Sequence, residues 1–479
     1  MNAPLRRVAI SVLVLFTLLI LNVNYVQVVR SDALRNNKLN TRVIAEEYNR
    51  QRGSLVVAGN EIAKSVRTSD RLAFLRQYPQ GPLYAAVTGY YSLLYGNTAL
   101  ESAENDVLAG SDPRLFVRRL ADLFTGRDPA GGDVVLTLDP GAQKAAMAGL
   151  NGVTGAVVAL DPATGKVLAL ASTPTYDPNQ LSSHNPTAIR SAAAKLATVK
   201  PDPRLNQAIG ERYSPGSVFK LIVSAAALST GKYTPQTKIP APNRLLLPQS
   251  TKQLENFNGE SCNGGADQSL LDALTISCNT AFAQLGITLG EDKIRAMAQA
   301  FGIGKSVDLP LHVAPSTIGS IDDAAQLGVS SIGQQDVQFT PMQGAMIAAA
   351  IANQGLLMKP YLVDSIQAPD LTVIDKLSPE EMGRAITPEV ATALTQMMTS
   401  VVDRGTGRKA RIQGIQVAGK TGTAQNSATD HAWFVGFAPA DHPKIAVAVF
   451  VKNGGATGGD ISAPVARQVI QAYLSGHGG

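Results

Sequence analysis

The octapeptide Tyr213-Ser214-Pro215-Gly216-Ser217-Val218-Phe219-Lys220 sets a serine at a Pro-Gly break, where a helix begins, and a lysine three residues on. A helix start offers that serine unpaired backbone N–H groups and the positive end of the helix dipole. The i, i+3 spacing puts Lys220 on the same helical face as Ser217. The run Ser217–Leu228 is apolar nearly all round, which predicts a helix buried in the core and a lysine with a reason to be there. An amine held in a poorly solvated pocket has a depressed pKa and can take the serine's proton. Alone, Ser-x-x-Lys is a weak signal, since a capping serine followed by an exposed lysine has the same pattern.

Two further motifs lie downstream. In Ser277-Cys278-Asn279 a hydroxyl and an amide two residues apart can enter one cleft, the serine to shuttle a proton and the asparagine to hold a substrate amide. In Ala418-Gly419-Lys420-Thr421-Gly422-Thr423-Ala424, strand periodicity puts Lys420 and Gly422 on one face and Thr421 and Thr423 on the other. Gly422 is expected to let a substrate backbone come close. Lys420 is expected to supply charge for a carboxylate. The Thr423 N–H is expected to join that of Ser217 in an oxyanion hole. Each motif has a plain structural counterpart, a loop cap or a solvated edge strand.

Around these motifs, strands open and close the C-terminal part. Gly155–Leu160 and Lys166–Ser172, joined by Asp161-Pro162-Ala163-Thr164-Gly165, read as a hairpin. Gln416–Thr423, Trp433–Phe437 and Lys444–Lys452 are strands, and about Ala463 to Leu474 is a closing helix. The buried-helix pattern of Met342–Ala352 falls between them. The order predicts an α+β domain with an antiparallel sheet whose first and last segments pair and on which helices pack. Asn453–Asp460 is glycine-rich and reads as a flexible loop.

The chain of 479 residues is 45% hydrophobic and 16% charged, ample for several packed cores and too apolar for a disordered protein. Its net charge is +5, and residues 1–52 alone hold eight basic and three acidic side chains. The rest carries 34 of each and is neutral, which argues against nucleic acid as a partner. Without HExxH, paired CxxC or a P-loop, no metal and no nucleotide cofactor is expected.

Val8–Val29 is uncharged for 22 residues, enough to span a membrane. Arg6 and Arg7 before it favour a cytoplasmic N-terminus. No small-residue cleavage pattern follows, so an uncleaved signal-anchor is expected over a cleaved signal peptide. Arg30, Arg35, Lys38 and Arg42 beyond it suit either a solvated face or anionic lipid headgroups. An extracytoplasmic location permits disulfides, and Cys262 and Cys278 are expected to pair rather than remain two buried thiols.

The order Ser-x-x-Lys, Ser-x-Asn, Lys-Thr-Gly resembles that of penicillin-binding proteins and serine β-lactamases. The chain as a whole resembles a class B penicillin-binding protein and looks most like the penicillin-binding protein A group. The likeness extends to Gly89-Tyr90-Tyr91-Ser92, Tyr95-Gly96 and Glu101, and to Val135-Leu136-Thr137-Leu138-Asp139 with Gln143. It includes Asp161-Pro162, Thr164-Gly165, Tyr176-Asp177-Pro178-Asn179, Gly333-Gln334, Thr340-Pro341, Asn353-Gln354-Gly355 and Gly405-Thr406-Gly407. It departs at Cys278, where many relatives have Asp, at Val57-Ala58-Gly59-Asn60, which lacks the usual Asp-Arg, and at Leu205-Asn206-Gln207-Ala208, in place of a more usual Asn-Arg-Ala.

The resemblance implies a penicillin-binding transpeptidase domain over 136–479, a smaller elongated pedestal over 30–135, an anchor over 8–29 and a cytoplasmic tail over 1–7. It implies a peptidoglycan D,D-transpeptidase with a serine acyl-enzyme at Ser217, inhibited by β-lactams. Lys220 would be the base, Ser277 the proton relay with Lys220 and Lys420 nearby, and Asn279 the holder of the substrate amide. Lys420, Thr421 and Thr423 would bind the terminal carboxylate, with no cofactor. Residues 31–135 are too short for a glycosyltransferase domain, so glycan polymerisation is expected from a separate partner in the cell-wall or division machinery. The rivals are a D,D-carboxypeptidase or β-lactamase on the same acyl-enzyme, and a non-enzymatic β-lactam sensor or division scaffold.

Overall fold

The computed structural model describes residues 3–30, 34, 47–115, 130–426 and 428–477. Its main sheet has five strands: β5 (Gly155–Leu160), β6 (Val167–Thr173), β9 (Ala418–Ala424), β10 (His431–Ala438) and β11 (Ile445–Val451). The order is β9-β10-β11-β5-β6, antiparallel throughout, so the first and last strands of this part of the chain meet at β11 and β5 as expected. The hairpin between β5 and β6 turns on Asp161, whose carboxylate accepts from the Ala163 N–H and the Thr164 hydroxyl.

Strands β5, β6 and β11 are buried along their whole length because both faces of the sheet are covered. On one face, Ala156, Val158, Trp433, Val435, Ala448 and Phe450 share a core with α4 (Lys220–Ser229) and α8 (Pro341–Ala352). On the other, Val157, Ala159, Phe434, Val447 and Val449 meet α3 (Pro140–Gly149) and α10 (Ser462–His477). Every residue of α4 from Lys220 to Leu228 is buried, which is why its sequence is apolar all round.

A second sheet has six strands in the order β8-β7-β4-β1-β2-β3. The first four in the chain are β1 (Leu55–Val57), β2 (Asn60–Arg67), β3 (Phe74–Gln77) and β4 (Asp133–Leu136). The other two, β7 (Val363–Gln367) and β8 (Val373–Lys376), return from far downstream, and β7 pairs antiparallel with β4. The N-terminal sheet is therefore completed by strands from the C-terminal part.

Two side chains of the quoted motifs pin the halves together. Gln143, fully buried, donates to the carbonyls of Leu83 and Leu170 and accepts from the Leu170 N–H. Asn179 makes a reciprocal pair of bonds with the Tyr78 backbone, both 2.9 Å. Inside the smaller unit, Glu101 is wholly buried between Arg52 and Arg76 at 2.7 and 2.6 Å. Burial alone would raise its pKa, but the two guanidinium groups hold it below its ordinary value.

Helix α1 (Ala3–Asn24) continues as a π-helical turn through Val29, with a mean hydropathy of 2.2 and no buried residue. It is the one candidate membrane span among the described residues. Arg35, Lys38 and Arg42 lie outside the described residues. Cys262 and Cys278 are joined in a disulfide. Within Asn453–Asp460, expected to be a flexible loop, Gly458 and Gly459 are buried against neighbouring backbone. A side-chain carbon on Gly458 would lie 2.1 Å from the Trp433 carbonyl, and one on Gly459 2.3 Å from that of Thr406. At these two positions glycine permits close packing.

Candidate active site

The serine does not stand in the first turn of one regular α-helix. Gly216–Phe219 is a 3-10 turn, and the α-helix begins at Lys220. In a 3-10 turn positions i and i+3 eclipse, so Ser217 and Lys220 line up more closely than α-helical spacing allows. The turn is braced from behind. Gly216 N–H donates to the Gly333 carbonyl at 3.0 Å, and Trp433 Nε1 donates to the Ser214 carbonyl at 3.0 Å. Tyr213 exchanges two 2.8 Å backbone bonds with Phe339. Gly216 has φ = 51°, and a side-chain carbon there would sit 2.5 Å from the Thr423 carbonyl. The turn that carries Ser217 thus presses directly on β9. Ser217 is half-buried, and its hydroxyl has no hydrogen-bond partner among the described residues.

Lys220 is fully buried and points at the second motif. Its Nζ donates to the Ser277 carbonyl at 2.7 Å and to Asn279 Oδ1 at 2.7 Å, with Ser277 Oγ at 3.2 Å. Burial, and then the positive charge of Lys420, push its pKa well below the ordinary lysine value. A neutral amine has two N–H groups and one lone pair. Both close partners are obligate acceptors and use the two N–H groups. The lone pair is left for an O–H, as a general base requires.

Ser277 stands between the two lysines. Its backbone is left-handed, φ = 63°, an uncommon state for a non-glycine residue. Lys420 Nζ donates to Ser277 Oγ at 2.9 Å, and Lys220 is on its other side. Asn279 opens α6 (Asn279–Leu289). Its Oδ1 is taken by Lys220, and its Nδ2 reaches only the Glu255 carbonyl at 3.5 Å, so that donor is spare for an incoming carbonyl.

On β9, a side-chain carbon at Gly422, expected to let substrate come close, would lie 2.5 Å from the Pro215 carbonyl and 3.0 Å from Val218 Cγ2, so the turn that carries Ser217 fills the space on that side. Lys420 was expected to offer its charge to a carboxylate. Its amine is fully buried, bonded to Ser277 Oγ and the Thr421 carbonyl, and burial pushes its pKa down to about 7. Thr421 shares a 2.6 Å hydroxyl contact with Thr406, and Thr423 Oγ1 accepts from the Gly458 N–H at 3.4 Å.

The structure brings Lys220, Ser277, Asn279 and Lys420 into one bonded cluster, with Ser217 beside Lys220 in the chain. It also adds residues that the motifs do not contain. Asn256 Oδ1 accepts from the backbone N–H groups of Asn279 and Thr280. Thr406 touches Thr421 from the Gly-Thr-Gly stretch, where the motif was a visible signal. Nothing in the sequence around Asn256 marks it.

Comparison with known proteins gives the family. Residues 155–471 match the penicillin binding protein transpeptidase domain, and residues 52–134 match the penicillin binding protein A dimerisation domain. The peptidoglycan D,D-transpeptidase PbpA of Mycolicibacterium smegmatis is 50% identical over 490 residues, covering 99% of each chain. PbpA of Mycobacterium tuberculosis is 49% identical over 492 residues, covering 99% of this chain and all of the relative. Penicillin-binding protein A from M. tuberculosis, solved as a ceftriaxone acyl-enzyme complex, superposes with a TM-score of 0.87 at 48% identity, covering 90% of this chain and all of that one. The penicillin G acyl-enzyme of the same protein gives 0.86 at 48% identity, over 89% and all of the two chains.

Proposed function

Because the chain belongs to the penicillin-binding protein transpeptidases, we propose that it cross-links peptidoglycan stem peptides through an acyl-enzyme on Ser217 and is inhibited by β-lactams at the same serine. The observation that carries this reading is Lys220: buried, held with a depressed pKa, and bonded to two acceptors that occupy its two N–H groups and leave its lone pair for a hydroxyl. Lys220 takes the Ser217 proton as Oγ attacks the penultimate D-Ala carbonyl of a D-Ala-D-Ala stem. The backbone N–H groups of Ser217 and Thr423 hold the oxyanion. The C–N bond breaks, and the departing D-Ala amine receives the proton through Ser277, which bonds to both lysines. An amine of a second stem then attacks the ester, yields its proton back through the same relay and frees Ser217. Asn279 Nδ2 binds a substrate carbonyl. Thr421 and Thr423 receive the terminal carboxylate, with Lys420 acting from behind through Ser277.

The N-terminal apolar helix is a single membrane anchor. We place the N-terminus in the cytoplasm and the catalytic domain outside, a reading supported by Arg6 and Arg7 and by the disulfide. Glycan polymerisation falls to a separate glycosyltransferase of the cell-wall or division machinery. The test is cross-linking of a defined stem peptide by wild type and Ser217→Ala. Product and fluorescent-penicillin label must both vanish in the variant. Labelling that persists without Ser217 would overturn the assignment, and rapid turnover of the label would mark a β-lactamase.

A further inference from the structure

We infer that Asn256 is a positioning residue for acylation: it supplies from outside the helix the cap that α6 lacks, and so holds Asn279 where it orients Lys220. This rests on the reading of Ser217 as nucleophile and Lys220 as its base.

Helix α6 begins at Asn279, and its N-cap position is Cys278. Helix starts are usually capped by the side-chain oxygen of Ser, Thr, Asp or Asn at that position. Cys278 makes no such bond, and its sulfur is committed to Cys262. The first N–H groups of the helix would be orphaned in a buried place. Asn256, from the segment after the short strand Gln253–Glu255, fills the gap. Its Oδ1 accepts from Asn279 N at 2.8 Å and from Thr280 N at 3.1 Å. The amide orientation is settled by chemistry, because both neighbours are donors and only the oxygen can face them. Asn256 is buried, and its Nδ2 has no partner among the described residues, so its hydrogen bonds are made through the oxygen.

The consequence passes one residue inward. The Asn279 backbone is held by Asn256, and the Asn279 side chain accepts from Lys220 at 2.7 Å. Around Lys220, β9 presents the charge of Lys420, while α6 and its approach present the neutral groups Ser277, Asn279 and the Phe282 ring. If the start of α6 shifts, Lys220 loses an acceptor and gains water. Its charged form is then better solvated, and acylation needs a higher pH.

The experiment measures acylation of the full-length protein in detergent by penicillin across pH, with Asn256→Leu and Asn256→Asp. Loss of a cap transmitted to the transition state corresponds to roughly tenfold in rate. Asn256→Leu is expected to lower the limiting rate at high pH by about that factor and to move the rising limb alkaline. Asn256→Asp keeps the acceptor oxygen and is expected to keep the limiting rate. Wild-type rate and limb position in Asn256→Leu, whatever its Tm, would overturn the inference, as would equal rate losses in both variants. If Asn256→Leu does not fold, Asn256→Ala takes its place under the same criteria. A wild-type protein without Ser217-dependent labelling would instead overturn the reading on which the inference rests.

Discussion

Replacing Lys420 by methionine removes a charge from the site while keeping an unbranched side chain of similar length. Both lysine amines bond Ser277 Oγ, at 3.2 and 2.9 Å. They therefore stand at most about 6 Å apart, where a unit charge at an effective dielectric constant of about 20 is worth roughly 3 kcal/mol, or about two pKa units. The sign follows from the charge: a cation beside Lys220 disfavours its protonated form, so removing the cation raises its pKa. Burial, the larger cause, remains, and Lys220 stays below its ordinary value. Burial pushes the Lys420 pKa down to about 7, so its charge acts on Lys220 mainly on the acid side of neutrality. The assay is the second-order rate of acylation by a fluorescent penicillin from pH 5 to 10. The height of the profile falls because Ser277 loses a partner, so the position of the rising limb is the quantity to read. It is expected to move alkaline by up to about two units. A limb that stays in place or moves acid would refute the account in which a neutral Lys220, kept so in part by Lys420, is the base.

Three further outcomes follow from other parts of the molecule. Gly422→Ala pushes a carbon to 2.5 Å from the Pro215 carbonyl, so acylation by penicillin is expected to fall more than about tenfold. Replacing Cys262 and Cys278 by alanine opens a loop of sequence separation 16 and should cost about 3 kcal/mol in denaturant unfolding; in wild type, a mass shift on reduction checks the bond first. Glu101→Ala strands two buried guanidinium groups and is expected to destabilise by about 3–5 kcal/mol. Because the Glu101 pKa is lowered in the fold, its stabilisation is complete above the ordinary carboxylate range and fades as pH falls through the lowered value, which melting curves at several pH values would show.

Much of the fold could be read from local pattern. Gly155–Leu160 forms the strand its apolar run indicated, with the same bounds, and the turn at Asp161-Pro162 closes the expected hairpin. The apolar surroundings of Lys220 correctly signalled burial. Other features were hidden because their cause lies elsewhere in the chain. The sequence of Val363–Gln367 does not say that its partner strand is Asp133–Leu136. The glycines at 458 and 459 look the same in a loose loop and in one jammed against two carbonyls. Strand alternation names the face on which Lys420 lies, and only packing says that Ser277 covers it.

By itself, the sequence determined the membrane helix, the strand and helix order, and the three motifs with their residue types, since these depend on hydropathy, periodicity and side-chain chemistry within short windows. Tertiary structure alone decided that Lys220 would find its acceptors 57 and 59 residues away and share Ser277 with a lysine 143 residues beyond that serine. It also decided that Asn256 would cap a helix it does not belong to. The physical reason is common to both. A pKa and a hydrogen-bond direction are set by what surrounds a group in space, and burial brings together groups that the chain keeps far apart.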